Sequence, residues 1–598
     1  MSTRTRTLTS PLLALVLAAC GTPSDDRDVA TRPPNPPTPP TTSERAAATP
    51  AISGGTLAQT PDGAVVIAAD PDRNQVYIVD LAAGRVRHTV SAAEGEPGRV
   101  VADDSTAYVA LRRGGAVLAI DLESGVSRRL DTCASPRGLA LQGDALHVAC
   151  AEGSLDTLDP ATGERTRRVS LDADLRDVVV VGDQLYVSRF RAAELLRLDA
   201  NGAVEARLKP APTLDERSGD SLDAPTVAWR TLALPGGEIV MLHQRSSLRE
   251  IHPHQESAYG VSEDACAQSI VSVALTVFGA DGAPRTVAKF NHTLAVDVAP
   301  SANSSGFALA TPGDALPEAQ ERVAELTWTA FDVGSEGVPC FRPGEFVGDV
   351  PSAPVPEVVA ALLDTTGRFV FQSREPAVLI DKEGRVLVRL SETSVANPAH
   401  ARFHRDAGRG LACASCHPEA GDDGHTWLFE GQGLRRTQFL AGGLKGTAPF
   451  HWAGDLSTFG VLMDEVHGRR MGGQPVPPED QVALLDWIDA QPAPPAPTLD
   501  ADRVERGRAL FESSTTGCAD CHTGALRTDN AAHDVGTGRA LQTPMLRGLA
   551  SRTRFMHSGC ADELTDRFDA DCGGRAHGQV EHLDAAALGD LVEYLRSL

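Results

Sequence analysis

Alternating apolar and polar positions, interrupted by Asp and Gly, run through the first two thirds of the chain. One phrase recurs, in which an apolar strand is followed by Asp, a Gly turn and a second strand. Alternation bounded by such turns is typical of antiparallel strands. A spacing of about 40 residues between all-strand repeats predicts the blades of a β-propeller. The copies are VYIVDLAAGRV (76–86), VLAIDLESGVS (117–127), LDTLDPATGER (155–165) and LLRLDANGAVE (195–205).

The same phrase returns late, as AVLIDKEGRV at 377–386. The less regular region before it still contains strand-like segments such as SIVSVALTVFG at 269–279. We therefore predict one propeller over residues 51–395, with seven blades. The first four phrases resemble the YVTN/NHL-type repeat family. That resemblance implies a scaffold and assigns no activity, because propellers host many unrelated functions.

After residue 395 the apolar period changes from two to between three and four. PEDQVALLDWIDAQP predicts a helix with Val482, Leu484, Leu485 and Ile488 on one face. The C-terminal stretch DAAALGDLVEYLRSL predicts another helix, with Asp584 as its N-cap. A Pro-rich linker at 491–500 separates two mostly helical segments, 396–490 and 501–598.

Each helical segment carries one C-x-x-C-H motif. Two cysteines three positions apart on a helical turn can form thioethers with the two vinyl groups of a haem, and the following histidine becomes the proximal iron ligand. A zinc ribbon is the alternative, but its second cysteine pair follows within about 15–20 residues. A thioredoxin-type pair does not need the histidine. We therefore predict two covalent haem c groups in two cytochrome c domains, held by Cys413, Cys416 and His417 and by Cys518, Cys521 and His522.

The N-terminus carries an export signal. Residues 1–20 combine arginines, an apolar run and the sequence Leu17–Cys20, which is typical of a signal peptide. Its end resembles the bacterial lipobox, which implies that Cys20 is lipidated and, with Gly21 after it, favours the outer membrane. An ordinary cleavage near Ala19 is the alternative. Residues 21–50 are Pro/Thr-rich and predict a linker. We expect a lipid-anchored protein facing the periplasm or the cell surface, with no other contact to the membrane.

The net charge limits the possible partners, and the number of cysteines predicts disulfides. The chain has 55 basic and 80 acidic residues, a net charge of −25, which argues against nucleic acid. A redox partner protein or a small-molecule oxidant remains compatible with this charge; the oligomeric state stays open. Of eleven cysteines, six are left after the lipid and haem positions, an even number that predicts disulfides. Proximity suggests the pairs Cys133–Cys150, Cys266–Cys340 and Cys560–Cys572.

The C-terminal third resembles the bacterial di-haem cytochrome c peroxidase family, which includes the methylamine-utilisation di-haem enzymes. The matching segments are 435–455, 469–473 and 541–559. The resemblance implies that Trp452 lies between the haems and that His425 takes the place of the distal histidine. Arg470 stands where the family has a glutamate. A guanidinium can stabilise negative charge but cannot accept a proton, so we expect electron transfer with weak peroxidase-type activity.

The sixth iron ligands follow from the residues that are available. For the first haem the candidates are Met471 and His425. For the second haem the family's methionine is missing from DADCGGRAHG (569–578), so we predict His577, with Met556 and Met545 as alternatives. The choice matters because a methionine ligand raises the potential of the haem relative to histidine.

The sequence also offers a candidate metal site and two rival functions. The loop HDVGTGRALQTP, with Asp534, is a candidate Ca²⁺ site, although it offers one carboxylate. Two rival functions also remain: a full di-haem peroxidase, or a propeller that binds a ligand or partner while the haems conduct electrons. An iron with an open sixth position would favour a peroxidase over a protein that only transfers electrons.

Overall fold

The computed structural model describes residues 49–93, 95–215, 218–260, 269–314 and 357–598, together with the backbone of 328–332 and 340–341. From Ala47 onward the chain forms one compact unit. The predicted lipid site, Cys20, and the predicted signal peptide and linker lie outside the described residues.

Four consecutive antiparallel sheets of four strands begin the described chain. The first two contain β1 (Leu57–Gln59), β2 (Val66–Asp70), β3 (Gln75–Asp80), β4 (Arg85–Ser91), β5 (Pro97–Ala102), β6 (Thr106–Leu111), β7 (Ala116–Asp121) and β8 (Ser127–Asp131). The next two contain β9 (Pro136–Gln142), β10 (Ala145–Cys150), β11 (Ser154–Leu158), β12 (Arg165–Ser170), β13 (Leu175–Val181), β14 (Gln184–Arg189), β15 (Glu194–Leu198) and β16 (Val204–Leu208).

Three larger or less regular sheets complete the ring. Their strands are β17 (Asp223–Ala233), β18 (Ile239–Ser247), β19 (Val271–Phe278), β20 (Pro284–Phe290), β21 (Asp297–Pro300), β22 (Gly306–Ala310), β23 (Trp328–Asp332), β24 (Cys340–Phe341), β25 (Val358–Leu363), β26 (Phe369–Ser373), β27 (Val378–Asp381) and β28 (Val386–Arg389). The ring closes where Tyr77 of the first sheet packs in one cluster with Val370 and Leu379 of the last.

The predicted β-propeller is present, but it has six full blades, so the prediction of seven blades is wrong. Six sheets have the four or five strands of a full blade, while β21–β23 form a sheet of three described strands. The next strand along the chain, β24, pairs in parallel with β20 of the preceding sheet rather than extending β23. A pairing between strands so distant in sequence is not encoded in the local alternation.

The repeated Asp and Gly of the phrase form the hairpin turns. In the second blade, the Asp121 carboxylate accepts a hydrogen bond from the Ser124 backbone N–H at 2.8 Å, and Gly125 adopts a φ of 71°. Asp side chains that accept local backbone bonds and glycines at positive φ are both favoured in tight turns. This local chemistry explains why the repeat could be recognised in the sequence.

The centre of the ring is filled by the chain itself. Residues 51–56 are buried and contact strands of several blades. Arg176 Nη2 on β13 donates to the Ser53 carbonyl at 2.7 Å, and Thr56 Oγ1 donates to Gln372 Oε1 on β26 at 2.8 Å.

The region after the propeller contains short helices joined by long irregular segments. Its elements are α1 (Pro398–His404), α2 (Cys413–Cys416), β29 (Thr426–Phe429), β30 (Gly433–Arg436), α3 (Phe459–Leu462), a π-helical turn (Met463–Arg470), α4 (Pro478–Ala490), α5 (Ala501–Phe511), β31 (Ala532–His533), β32 (Leu541–Gln542) and α6 (Ala585–Arg596). Short 3₁₀ turns cover Ala258–Gly260, Pro312–Asp314, Pro418–Ala420, Cys518–Asp520, Leu549–Ser551, Asp566–Phe568, Ala570–Cys572 and Gly574–His577.

The expectation of two mostly α-helical domains therefore holds only in part. The helices α4 and α6 lie where the apolar period predicts them, and Asp584 caps α6 by accepting from the Ala587 N–H at 2.8 Å. Leu484 and Ile488 are buried. Val482 is 59% exposed, so it does not belong to the buried face of α4 on which it was predicted to lie. Within the part of the chain that the structure describes, we found no helix long and apolar enough to cross a membrane.

Two of the suggested disulfides are present in the structure. Cys133 is bonded to Cys150, and Cys560 is bonded to Cys572. The third suggested pair, Cys266–Cys340, includes Cys266, which lies outside the described residues.

Candidate haem sites

The first C-x-x-C-H motif is built into the contact between α2 and the propeller. The half-buried thiols of Cys413 and Cys416 are free, one helical turn apart on α2. The Ser415 hydroxyl between them donates to the Thr293 carbonyl of the propeller at 2.9 Å and accepts from the Ala412 N–H at 3.1 Å. The Ser415–Thr293 hydrogen bond thus attaches the motif to the propeller and leaves both thiols available.

His417 has the geometry of a metal ligand. Its Nδ1 lies 3.1 Å from the Gly421 carbonyl oxygen, which selects the tautomer that donates from Nδ1 and leaves the Nε2 lone pair available. Burial lowers the pKa of His417, which keeps the imidazole neutral, as metal binding requires.

A largely apolar cavity of about 260 Å³ opens beside this motif and is lined by Cys413, Cys416 and His417. Phe403, Phe439, Phe450 and Phe459 contribute apolar walls. Two free thiols and a neutral imidazole on one wall of an apolar cavity form the donor set of a covalently attached haem, so these residues fit that group.

The propeller supplies part of this cavity, which the sequence did not reveal. Tyr259 and Ile270, both in the insertion between β18 and β19, line it. Arg470 Nη1 donates to the Tyr259 hydroxyl at 3.1 Å, while Arg470 Nε donates to Glu465 at 2.9 Å. Burial raises the pKa of Tyr259, so its hydroxyl stays protonated. A phenol and a guanidinium therefore stand side by side in the cavity.

Arg470 and Met471 reach the cavity from a π-helical turn. The Met471 N–H donates to the Val466 carbonyl five residues earlier, at 2.9 Å. Single π turns occur often at functional sites. Met471 is 6% exposed and lines the cavity, so its thioether could contact a haem held there.

His425, the other candidate for the first haem, is directed elsewhere. Its Nε2 lies 3.2 Å from the Ser247 carbonyl oxygen in the propeller, and its ring packs edge-on against Trp427 with centroids 4.4 Å apart. It is not among the residues that line the cavity. Burial lowers its pKa to about 4, so it is neutral at physiological pH and hydrogen-bonded away from the cavity.

Trp452 lies between the two motif-bearing segments. Its indole Nε1 donates to the Arg436 carbonyl at 2.7 Å, and its own carbonyl accepts from the Gln542 N–H at 2.8 Å. Its ring is 6.2 Å from that of His557, centroid to centroid. Because Arg436 belongs to the first segment and Gln542 and His557 to the second, Trp452 contacts both.

The histidine of the second motif is held in the same tautomer as that of the first. His522 Nδ1 lies 2.9 Å from the Arg527 carbonyl oxygen, which leaves Nε2 available. Burial lowers the pKa of His522. The thiols of Cys518 and Cys521 are free, so the second motif also offers a complete donor set.

His577 faces His522. The two ring centroids are 6.3 Å apart, with 34° between the ring planes. Two imidazoles on opposite sides of one metal, each bonded at about 2 Å, place their ring centres about 6 Å apart. The buried Nδ1 of His577 has no hydrogen-bond partner, and burial lowers its pKa to about 3. The spacing therefore fits a metal held between the two rings.

The two alternative ligands of the second haem, Met545 and Met556, pack among other side chains. Met545 lines the cavity of the first motif and packs against Phe439. Met556 packs in a cluster with Leu549, Phe555 and Cys572.

The candidate Ca²⁺ ligand Asp534 uses one carboxylate oxygen to accept hydrogen bonds from the backbone N–H groups of its own loop, at 3.0 to 3.2 Å.

No family model matches this sequence. Among curated proteins, the chain is similar to the gamma subunit of hydrazine synthase from Kuenenia stuttgartiensis, with 27% identity over 254 residues. The alignment covers 31% of this chain and 72% of that subunit.

Among solved structures, a chain of K. stuttgartiensis hydrazine synthase matches 58% of this chain and 100% of its own length, with 14% identity and a TM-score of 0.42. Hydrazine synthase of the same organism pressurised with 20 bar xenon matches 33% of this chain and 85% of its own, with 25% identity and a TM-score of 0.30. Streptogramin B lyase matches 54% and 92%, with 9% identity and a TM-score of 0.36. With such TM-scores, these similarities do not define the fold by themselves.

Proposed function

We propose that this protein is an exported c-type cytochrome with two covalent haems that transfers electrons. The observation that carries the proposal is the shared geometry of the two motifs. In each, two free thiols lie beside a half-buried histidine whose Nδ1 is held by a backbone carbonyl and whose Nε2 would be left for iron. A bound haem would supply reversible one-electron chemistry at each position.

The protein's residues give the two positions different roles. At the second, His522 and His577 would hold a haem iron with two imidazoles, which would suit electron transfer because no position would stay open to a substrate. At the first, Met471 is the axial candidate, and Tyr259 and Arg470 add polar groups beside it. Trp452, in contact with both segments, is placed to connect them.

The partner that we propose is a redox protein or a small-molecule oxidant. The similarity to the hydrazine synthase gamma subunit supports a haem-associated, redox-related role. The net charge of −25 would favour a partner with a basic surface. Export with lipidation at Cys20 remains part of the proposal, because covalent haem attachment occurs outside the cytoplasm. That places the protein on the periplasmic side of the outer membrane or at the cell surface.

A peroxidase-type activity is the second candidate, favoured by the Tyr259–Arg470 pair in the first cavity. This pair could donate hydrogen bonds to a small oxidant such as peroxide in the cavity and stabilise negative charge that develops on it. Neither group accepts a proton readily, since the guanidinium is permanently charged and burial raises the pKa of the phenol. We therefore propose peroxidase turnover that is weak compared with electron transfer.

Intact-mass measurement under denaturing conditions tests the main proposal. The mature protein should exceed its polypeptide mass by two haems, and the Cys518→Ala/Cys521→Ala variant should retain one. Cys133→Ala/Cys150→Ala, which removes a pair of disulfide cysteines far from either motif, is the matched control and should retain two. A wild-type mass equal to the bare polypeptide would contradict the proposal.

A further inference from the structure

A carboxylate next to the first haem motif is enclosed by the propeller. Glu419 follows the proximal histidine by two residues, and its side chain is 11% exposed. Its Oε1 accepts from Arg176 Nη1 at 2.6 Å and from Arg112 Nη1 at 3.2 Å, and its Oε2 accepts from Arg137 Nη1 at 3.0 Å. We call these three arginines the arginine socket.

The arginine socket belongs to three different blades. Arg112 follows β6 of the second blade, Arg137 lies on β9 of the third and Arg176 lies on β13 of the fourth. Ser53, in the segment that fills the centre of the ring, also donates to Glu419 Oε1 at 2.5 Å. Donors from this many separate elements meet at one carboxylate only when the ring is assembled.

The backbone around Glu419 is held in an uncommon conformation. Glu419 has a φ of 52° and Ala420 a φ of 58°, so two consecutive residues with side chains are in the left-handed region. Such residues cost free energy and persist where the surrounding structure determines them. The next residue is Gly421, whose carbonyl oxygen lies 3.1 Å from His417 Nδ1.

We infer that Glu419 is a positioning residue through which the propeller fixes the proximal loop of the first haem and sets the charge beside it. The inference rests on the proposal that Cys413, Cys416 and His417 hold a haem. It gives the propeller a specific role: the arginine socket holds Glu419, Glu419 holds the turn 418–421, and the turn orients His417. In the second motif, the position two residues after the proximal histidine is Gly524 rather than a glutamate, so the device belongs to the first haem.

Replacement of Glu419 by Gln in the full-length haem protein tests this inference. The variant leaves the arginine socket with an unmatched positive charge, which favours the reduced iron. We expect the midpoint potential of the first haem to become more positive, its EPR signal to change and amide exchange in residues 413–421 to become faster. The second haem in the same molecule is the internal reference. Glu383→Gln, at a 48% exposed position of the last blade, is the matched control.

A substitution that removes a positive charge distinguishes this electrostatic role from a general loosening of the proximal loop. Arg137→Gln removes a positive charge that contacts Glu419 from the more exposed side of the socket, so it should move the same potential in the negative direction. If Glu419→Gln loses the first haem and keeps the second, that result also supports the inference. If Glu419→Gln matches Glu383→Gln in potential and in amide exchange, or if both haems change equally, the inference is wrong. If the wild type proves to hold no haem, the proposed function fails, and amide exchange alone decides the role of Glu419.

Discussion

The two C-x-x-C-H motifs have the same local chemistry and different surroundings. Cys416 of the first motif packs in a cluster with Ile251 and Ile270 of the propeller. Cys518 of the second packs with Phe511 and Tyr594, from the helices α5 and α6 of its own segment. The first site is completed by a distant domain, which adds Tyr259 and the arginine socket. The second is enclosed by residues of its own segment, among them His577, whose ring centroid is 6.3 Å from that of His522. The motif thus supplies the thiols and the imidazole, whereas the residues that enclose it would decide the access of a substrate to a bound haem.

The largest expected effect comes from opening the second site. His577→Ala should convert a six-coordinate low-spin iron to a high-spin one, because the ring 6.3 Å from His522 is removed. Visible absorption and EPR spectra would report the change, while the signal of the first haem should stay the same. His582→Ala, at an exposed position nearby, is the control. An unchanged spectrum, combined with a change in Met556→Ala, would identify Met556 as the ligand.

A second variant tests the ligand of the first site. Met471→Leu keeps an apolar side chain of similar size but removes the thioether, so the potential of the first haem should fall. Met463→Leu is the matched control, since Met463 also lines the cavity and is 4% exposed. Redox titration followed at the absorption of each haem measures both variants. Equal potentials in the two variants would mean that Met471 only fills space.

A smaller effect is expected from the contribution of the propeller to the first cavity. Tyr259→Phe removes the hydroxyl that accepts from Arg470 and should slow the reaction with peroxide by roughly tenfold, the equivalent of one hydrogen bond of about 1.4 kcal/mol. Stopped-flow absorption would measure the rate. Tyr186→Phe, in the fourth blade, is the control. A rate equal to that of the wild type would show that the phenol takes no part.

The smallest effect concerns acid stability, which should come from buried histidines outside both motifs. Burial lowers the pKa of His243 to about 3 and that of His404 to about 4, from the ordinary histidine value of 6.5. The unfolded chain therefore binds more protons between pH 6.5 and 4, so the free energy of unfolding should be constant above pH 6.5 and fall as the pH drops through that window. Melting temperatures from pH 8 to 5 would show the slope. His243→Asn should reduce it, whereas a slope unchanged by this variant would exclude His243 as a contributor.

Local patterns predicted a good part of this protein. The Asp and Gly turns predicted the blades because hairpin turns are determined within a few residues, and the apolar period predicted α4 and α6 for the same reason. His577 was a sequence candidate because the adjacent segment lacks a methionine, and the structure places its ring opposite His522. His425 was proposed because the family resemblance gives it the place of the distal histidine, and it is hydrogen-bonded to Ser247 instead.

The amino-acid sequence by itself determined the chemistry that depends on neighbours along the chain: two thiols and an imidazole at fixed spacing, the turns of the hairpins and the caps of the helices. Only the tertiary structure decided which residues meet across long separations. Tyr259 reaches Arg470, 211 residues away, and Arg176 reaches Glu419, 243 residues away. No local pattern marks either pair, because each forms only after the ring of blades has closed and the C-terminal segments have packed against it.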